Sequence, residues 1–325
     1  MTARILLVTL LLGTPLQAQQ PPIGIIDLYG LTQTRPDAVR SALGLKVGDS
    51  VPASSEAYIR NLKTLPGVQS ASLNPVCCED GKTILYVGIV EAGSPTITWN
   101  PEPTGTALLP DSVRALGSAF EEALWAALRQ GDGTEDRSAG HALMHFPEAR
   151  RIQEQFPAIA AKDFDLLRTV LHTSAAASDR ALAAQIIAYT RDKQAVVPDL
   201  VTASRDPSEL VRNNAVRALV VMASAESVTV KVPPGPFVAL LQSPVWTDRN
   251  KSSLALMELT ASRYPELLAA LRPARSALVE MARWRSLGHA GAALTILGRM
   301  AGFTEQEIGR VWNGGDREII IRASQ

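Results

Sequence analysis

The stretch DPSELVRNNAVRALVVMA, residues 206–223, carries the helix pattern on which the fold prediction rests. Asp206 is placed to cap a helix, Pro207 suits its first turn, and Glu209 stands three residues beyond the cap. The apolar side chains share one stripe of that helix: Val211, Ala215, Ala218, Leu219 and Met222. The side chains predicted to face away from the stripe are Arg212, Asn213 and Arg217. Such a helix belongs either to a closed core or to one unit of a stack.

Other helices of the chain repeat the same frame. Counted from Arg212, a small residue stands three positions on and a large aliphatic residue stands seven positions on. The same offsets from Arg180, Arg249 and Leu287 give the pairs Ala183 and Ile187, Ser252 and Leu256, and Ala290 and Leu294. These starting points lie 32, 37 and 38 residues apart. A closed core gives no reason for such a period, so the pattern predicts a solenoid.

A shorter apolar helix precedes each of these segments, so each repeat is predicted to be a helix pair. The pattern L..AS.DPS..VR..A..AL spans the turn of one pair and resembles a HEAT-type repeat. In this resemblance Asp206 caps the second helix, and Val211 and Arg212 form the Val-Arg pair. We predict an all-α helical repeat domain over residues 111–315, which would present a curved surface for binding. TEQEIGRVW, with Thr304 and Glu307 as a capping box, would close its end.

The segment before this domain alternates strands and helices. IGIIDLYG predicts a strand, TRPDAVRSALGLKVGD and SSEAYIRNLKTLPGV predict two helices, and VQSASLNPV predicts a second strand. TILYVGIVE is apolar on both faces, as a central strand would be. The predicted order is therefore β-α-α-β-β in a small α+β domain.

This order, with LKVGD after the first helix and LPGVQSASL before the hairpin, resembles a POTRA (polypeptide-transport-associated) domain over residues 19–93. The resemblance implies a three-stranded sheet under two helices and no catalysis. It also implies an exposed sheet edge that accepts an extended segment, here Val68 to Leu73. The alternative is a small α+β domain that only packs on the helical domain.

Both ends of the chain and the segment between the domains have distinct compositions. MTARILLVTLLLGTPLQAQQPP predicts a signal peptide over residues 1–18 and hence a periplasmic or secreted protein, with a retained anchor as the alternative. No later run predicts a transmembrane segment. Residues 94–110, rich in Pro, Gly and Thr, are predicted to be a linker. The tail, residues 316–325, is β-prone, which favours either an added strand or disorder.

The two cysteines, Cys77 and Cys78, are adjacent. They form either a disulfide with each other or two thiols, one of them buried. A metal site is not expected there, because no second pair exists to complete four ligands.

Composition argues against several functions. Lys+Arg and Asp+Glu each number 32 and aromatic residues make up 5%, so no nucleic-acid partner is expected. The chain has no Gly-x-Ser-x-Gly turn, and GDGTEDRSAG lacks the lysine of a phosphate-binding loop. His141 and His145, four residues apart, would share one face of a helix, and two imidazoles at that spacing can hold a metal, although a surface face beside a cap helix is the favoured interpretation. The alternative function is therefore an envelope metal-dependent hydrolase.

The favoured interpretation is a non-catalytic exported scaffold without a cofactor. It would bind protein or peptide partners in the cell envelope through the helical surface and the sheet edge. The candidate contacts are Asn213, Asn214 and Arg217.

Overall fold

The structure is a computed structural model that describes residues 21–324. The predicted signal peptide, residues 1–18, lies outside the described residues. Within that described range, no helix is both long and apolar enough to cross a bilayer.

A small mixed sheet precedes the helices. Its elements are β1 (Ile23–Tyr29), α1 (Pro36–Leu43), α2 (Glu56–Leu62), β2 (Val68–Glu79) and β3 (Lys82–Glu91). β3 is the central strand, with β1 parallel to it on one side and β2 antiparallel to it on the other. The sulfurs of Cys77 and Cys78, in the exposed last part of β2, are joined by a disulfide bond.

Both faces of this sheet are covered. Leu85 and Val87 pack under α1 and α2, whereas Ile84 and Tyr86 point into the core of the helical part. β3 is therefore apolar on both faces, because α1 and α2 cover one face and distant helices cover the other. The sheet comes so close to the helical part at Gly88 that a Cβ there would lie 2.6 Å from the carbonyl oxygen of Pro244.

The chain after Pro110 is mostly helical, and a two-stranded ribbon separates its first two helices. The bounds of these elements are α3 Asp111–Arg129, β4 Glu135–Asp136, β5 Leu143–Met144, α4 Pro147–Gln153, α5 Phe156–Lys162, α6 Phe164–Thr173, α7 Ala177–Ile187, α8 Lys193–Ala203, α9 Glu209–Ser224, α10 Gly235–Leu240, α11 Trp246–Leu259, α12 Pro265–Ala270, α13 Arg275–Ala282, α14 Leu287–Met300, α15 Glu305–Trp312 and α16 Arg317–Ala323.

Four helix pairs form the middle of this part. α6 packs on α7, α8 on α9, α10 on α11 and α13 on α14. The second helices lie side by side in the order α7, α9, α11, α14, so each pair buries its apolar stripe against the next pair. The prediction of a helical repeat stack is confirmed. At its end, Thr304 and Glu307 form the predicted capping box.

Buried ion pairs connect consecutive repeats. In each pair an arginine near the start of one second helix reaches an acidic residue of the next repeat: Arg180 to Asp206 at 2.9 Å, Arg212 to Asp248 at 2.9 Å, and Arg249 to Glu280 at 2.8 Å. We call these three pairs the ion-pair ladder. The ladder recurs with the repeat, so it links every unit of the stack to its neighbour.

Two predictions about the helix of residues 206–223 are wrong. Arg212 does not face away from the stripe, since it is only 3% exposed. Besides its ion pair with Asp248, its guanidinium donates to the carbonyl oxygens of Asp206 and Pro207 at 2.9 and 3.0 Å. These acceptors satisfy a buried guanidinium, which has five N–H donors. Asp206 is not the cap, since α9 begins at Glu209 and the carboxylate of Asp206 accepts from the N–H of Ser208 and from Arg180.

Residues 94–110 have no helix or extended strand of their own, yet they lie along the turns of the stack. The N–H of Asn100 donates to Arg205, and that of Gly105 donates to Thr173, at 2.8 and 2.7 Å. The Trp99 ring lies 4.1 Å from the guanidinium of Arg212. This segment is thus bound to the stack along its length.

The prediction for the tail is wrong, because the tail forms the helix α16. It is neither an added strand nor disordered. Asp316 caps this helix by accepting from the N–H of Glu318 at 2.9 Å. Ile320 and Ile321 are fully buried. Their burial against α13 and α14 outweighs the β propensity of the three isoleucines.

Candidate functional site

A cavity of about 430 Å³ lies between α3, α7, α9 and α11. Apolar side chains of α3 form one wall, and polar side chains of the second helices form the other. The residues that line it include Phe120, Leu124, Leu128, Gln185, Tyr189, Asn213, Asn214, Arg217 and Lys251. We call this cavity the groove.

The structure places all three candidate contacts in the groove. The side-chain amide of Asn214 donates to the carbonyl oxygen of Ala181 at 2.9 Å, and Asn213 accepts from the hydroxyl of Thr247 at 3.1 Å. These bonds cross from α9 to both neighbouring second helices. The two amides are therefore held in fixed orientations by the stack.

The segment 131–145 closes one side of the groove, and we call it the 131–145 loop. It contains the β4–β5 ribbon and is tied to the stack by Glu135, which pairs with Arg217, and by the hydroxyl of Tyr189, which donates to Ala142 at 2.6 Å. Burial alone would raise the pKa of Glu135, but the charges of Arg217 and Arg137 hold it below its ordinary value. This carboxylate therefore stays ionised and balances the two guanidinium groups.

His141 and His145, on which the alternative metal-dependent function depends, do not share one face of a helix. Residues 141–145 form no helix, and Leu143 and Met144 lie in β5, so positions four apart are not brought together on a helix face. His141 lies 3.0 Å from the ammonium of Lys193, and burial together with that charge lowers its pKa to about 4. His145 instead contacts the hydroxyl of Thr134 at 3.1 Å. Among residues 21–324, no group of three His, Cys, Asp or Glu side chains is placed to hold a metal.

Lys251 also lines the groove, and it was missed at the level of sequence. Its position could have been found from the repeat frame, because Lys251 stands two residues after Arg249 just as Asn214 stands two after Arg212. Gln185 and Arg217 likewise both stand five residues after the ladder arginine of their repeat. The groove is therefore lined by equivalent positions of successive second helices.

Among the described residues, no tryptophan lines the groove. Trp246 and Trp284 are buried against Tyr86 beneath the sheet, with ring centroids 5.0 and 4.8 Å from it. Trp125 lies on α3 and is 60% exposed.

The predicted sheet edge is present. β2 is an outer strand, and among the described residues no further strand pairs with its outer side. Gln69 and Ser70 are exposed there. Pro75 lies further along β2, and its missing N–H suits an edge strand.

No protein-family model and no curated protein matches the chain. Among solved structures, it is similar to a designed armadillo repeat protein in complex with the peptide (KR)4. The likeness covers 55% of this chain and 92% of that chain, at 17% sequence identity and a TM-score of 0.38. The stack is established by the packing of α6 to α14 in this molecule and not by that likeness.

Proposed function

We propose that this protein is a non-catalytic scaffold whose groove binds an extended segment of a partner protein. The observation that carries the proposal is the groove itself, where fixed polar side chains of α9 face apolar side chains of α3 across one open cavity. Binding sites combine an apolar wall with a few polar groups that set orientation, and the groove has both. Its lining positions vary in type from repeat to repeat, as in repeat proteins that bind by one face.

The edge of β2 from Val68 to Leu73 is a second binding surface in this proposal. An outer strand offers unpaired backbone N–H and C=O groups to an extended segment. Together with the β-α-α-β-β order, this edge supports the resemblance to POTRA domains. Pro75 would end such pairing, because it has no N–H to donate.

We further propose that the protein is exported and meets its partner in the cell envelope. Residues 1–18 have the composition of a signal peptide, and a disulfide such as Cys77–Cys78 persists in an oxidising compartment. Amino-terminal sequencing of the natural protein tests this step. A sequence that starts after Ala18 is expected, and one that starts at Met1 would contradict it.

The groove is tested by selecting peptides from a random display library on the full chain and by measuring the affinity of the selected peptides. Leu128 lines the groove and is 46% exposed, so Leu128→Glu puts a charge on the apolar wall without disturbing the core. We expect this variant to lose about tenfold or more in affinity. Leu210→Glu is the matched control, since Leu210 is 62% exposed and lies outside the groove.

The control variant should bind as the wild type does. A wild-type protein that selects no peptide, or a Leu128→Glu variant that binds with unchanged affinity, would contradict the proposed function.

A further inference from the structure

Lys251 is an unpaired cation in the groove. It is half-buried in the middle of α11, and its ammonium forms no hydrogen bond or ion pair with another residue of the described chain. The other two cations that line the groove share one carboxylate: Glu135 pairs with Arg217 and, at 2.5 Å, with Arg137. The second acid of the lining, Glu121, is exposed on α3. With Lys251 itself, the lining carries three cations and two carboxylates, so the groove has one unbalanced positive charge although the whole chain is neutral.

The surroundings of Lys251 disfavour its charge. Burial of the ammonium and then the charge of Arg217 lower its pKa from 10.5 to about 8, with Arg137 acting in the same direction and Glu135 against it. His289 of α14 also interacts with Lys251, but its own pKa is lowered by burial, so it is neutral at pH 7. A desolvated ammonium without an acceptor is costly. An anionic group placed beside it would remove that cost.

We propose that the groove binds a peptide segment with an acidic residue, whose side-chain carboxylate is held by Lys251. This inference rests on the proposed function and names the chemistry of the ligand. A side-chain carboxylate fits better than a chain terminus, because terminal carboxylates are captured by free backbone N–H groups. Here the walls beside Lys251 are the middles of α9 and α11, where the backbone N–H groups bond within the helix.

A phosphate group fits less well than a carboxylate. Proteins recognise phosphate preferentially through the forked donors of arginine. Both arginines of the groove are already engaged by Glu135, whereas Lys251 offers a single ammonium.

The test selects peptides from a random display library on the wild-type full chain and on Lys251→Gln. Glutamine keeps most of the half-buried stem and removes the charge, and circular dichroism checks that the variant folds. We expect Asp or Glu to be enriched at one position of the wild-type selection. That enrichment should disappear with Lys251→Gln while the other positions of the motif remain.

Synthetic peptides then measure the contact. Replacing the selected acidic residue by its amide should weaken binding to the wild type about tenfold, as for a hydrogen bond between charged groups. On Lys251→Gln the same replacement should change affinity by less than about twofold. Amidation of the peptide terminus should have no effect. A loss on amidation, with no loss on replacing the side chain, would overturn the choice of a side-chain carboxylate.

The pH dependence separates this contact from a merely structural role of Lys251. The ammonium is protonated below its pKa of about 8, and the carboxylate of the peptide is ionised above about pH 5, so affinity for the acidic peptide should be constant between about pH 6 and 7 and fall as pH rises through 8. Affinity for the amide peptide should stay flat, as should binding of either peptide to Lys251→Gln.

The outcomes distinguish the two proposals. If the wild type selects no peptide, the proposed function and this inference both fail. If it selects a motif that needs Leu128 but shows no acidic preference, only the assignment of Lys251 is overturned.

Discussion

Glu91, at the end of β3, holds the loop before α1 in place. Its carboxylate accepts hydrogen bonds from the backbone N–H groups of Thr32, Gln33 and Thr34 at 3.0, 2.8 and 2.8 Å. Burial alone would raise the pKa of Glu91, yet these bonds and that from the Thr32 hydroxyl lower it to about 2. One carboxylate thus fixes a turn that lies almost 60 residues earlier in the chain.

Replacing Glu91 by Gln should therefore reduce the free energy of unfolding at pH 7 by about 1–3 kcal/mol, the range for hydrogen bonds to a charged group. Because the folded pKa lies below the ordinary value of 4.5, this stabilisation is complete above pH 4.5 and is lost as pH falls toward 2. Urea denaturation at several pH values measures the difference, which should shrink on acidification. Glu121→Gln, at an exposed site of α3, should change little at any pH. An equal loss at all pH values would contradict this role of Glu91.

At the scale of the elements, α16 shows how packing selects a helix from a β-prone sequence. In the helix, Ile320 and Ile321 are fully buried, whereas Ile319 is 56% exposed. A strand would instead put residues 319 and 321 on the same face. The arrangement of these side chains is therefore a direct test of the secondary structure.

We expect Ile320→Ala to lower the free energy of unfolding by about 2–5 kcal/mol, the usual cost of truncating a buried isoleucine. Ile319→Ala should change it by no more than about 0.5 kcal/mol, as at other exposed positions. Thermal or urea denaturation of the two variants measures both values. Equal effects would show that α16 does not pack as described.

The ion-pair ladder connects one element to the next, and Arg212 with Asp248 is its best-buried step. Arg212→Met leaves the Asp248 carboxylate buried with only the hydroxyl of Ser243 as a side-chain partner. We expect a loss of about 3–5 kcal/mol, typical of an uncompensated buried charge. Adding Asp248→Asn should recover part of this loss, because the second change removes the charge.

A double-mutant cycle in urea measures the coupling between the two side chains. Additive losses would show that the pair does not act as a unit. Coupling is expected because the guanidinium contacts the carboxylate at three distances between 2.9 and 3.1 Å.

At the scale of the whole molecule, the small sheet and the helical stack share a core. Tyr86 of β3 lies between Trp246 and Trp284, and its hydroxyl is 2.7 Å from the ring nitrogen of His289. Arg285 bonds the carboxylate of Asp27 at 3.0 Å. The sheet is therefore docked on the third and fourth helix pairs. It is not docked on the first pair, although that pair comes before the others in the sequence.

This docking predicts that the sheet and the stack unfold together. Unfolding followed by tryptophan fluorescence and by far-ultraviolet circular dichroism should give coincident transitions for the wild type. Tyr86→Ala should cost about 3–5 kcal/mol, as for other buried aromatic residues, and should separate the two transitions. Tyr86→Phe keeps the ring and should leave them coincident. Separate transitions in the wild type would mean that the two parts are energetically independent.

Much of the helical part is predictable because the repeat is local. The spacing of small and large apolar residues after Arg180, Arg212 and Arg249 depends only on the helix period, so it can be read along the chain. The three polar groove residues of α9 were found in the same way. Lys251 was missed although it occupies the position equivalent to Asn214 in the next repeat. The sequence does not show whether a charged side chain has a partner of opposite charge in the folded protein.

By itself, then, the sequence determined the helix pairs, the doubly buried strand β3 and the capping box at Thr304, since each depends on residues close together in the chain. Only the tertiary structure decided that Arg212 is buried, that residues 141–145 are not helical, that α16 is a helix and that the sheet docks on the later pairs. The physical reason is common to these cases. Burial and pairing depend on surfaces supplied by distant segments, and the preference of a local stretch is overridden when such a surface covers it.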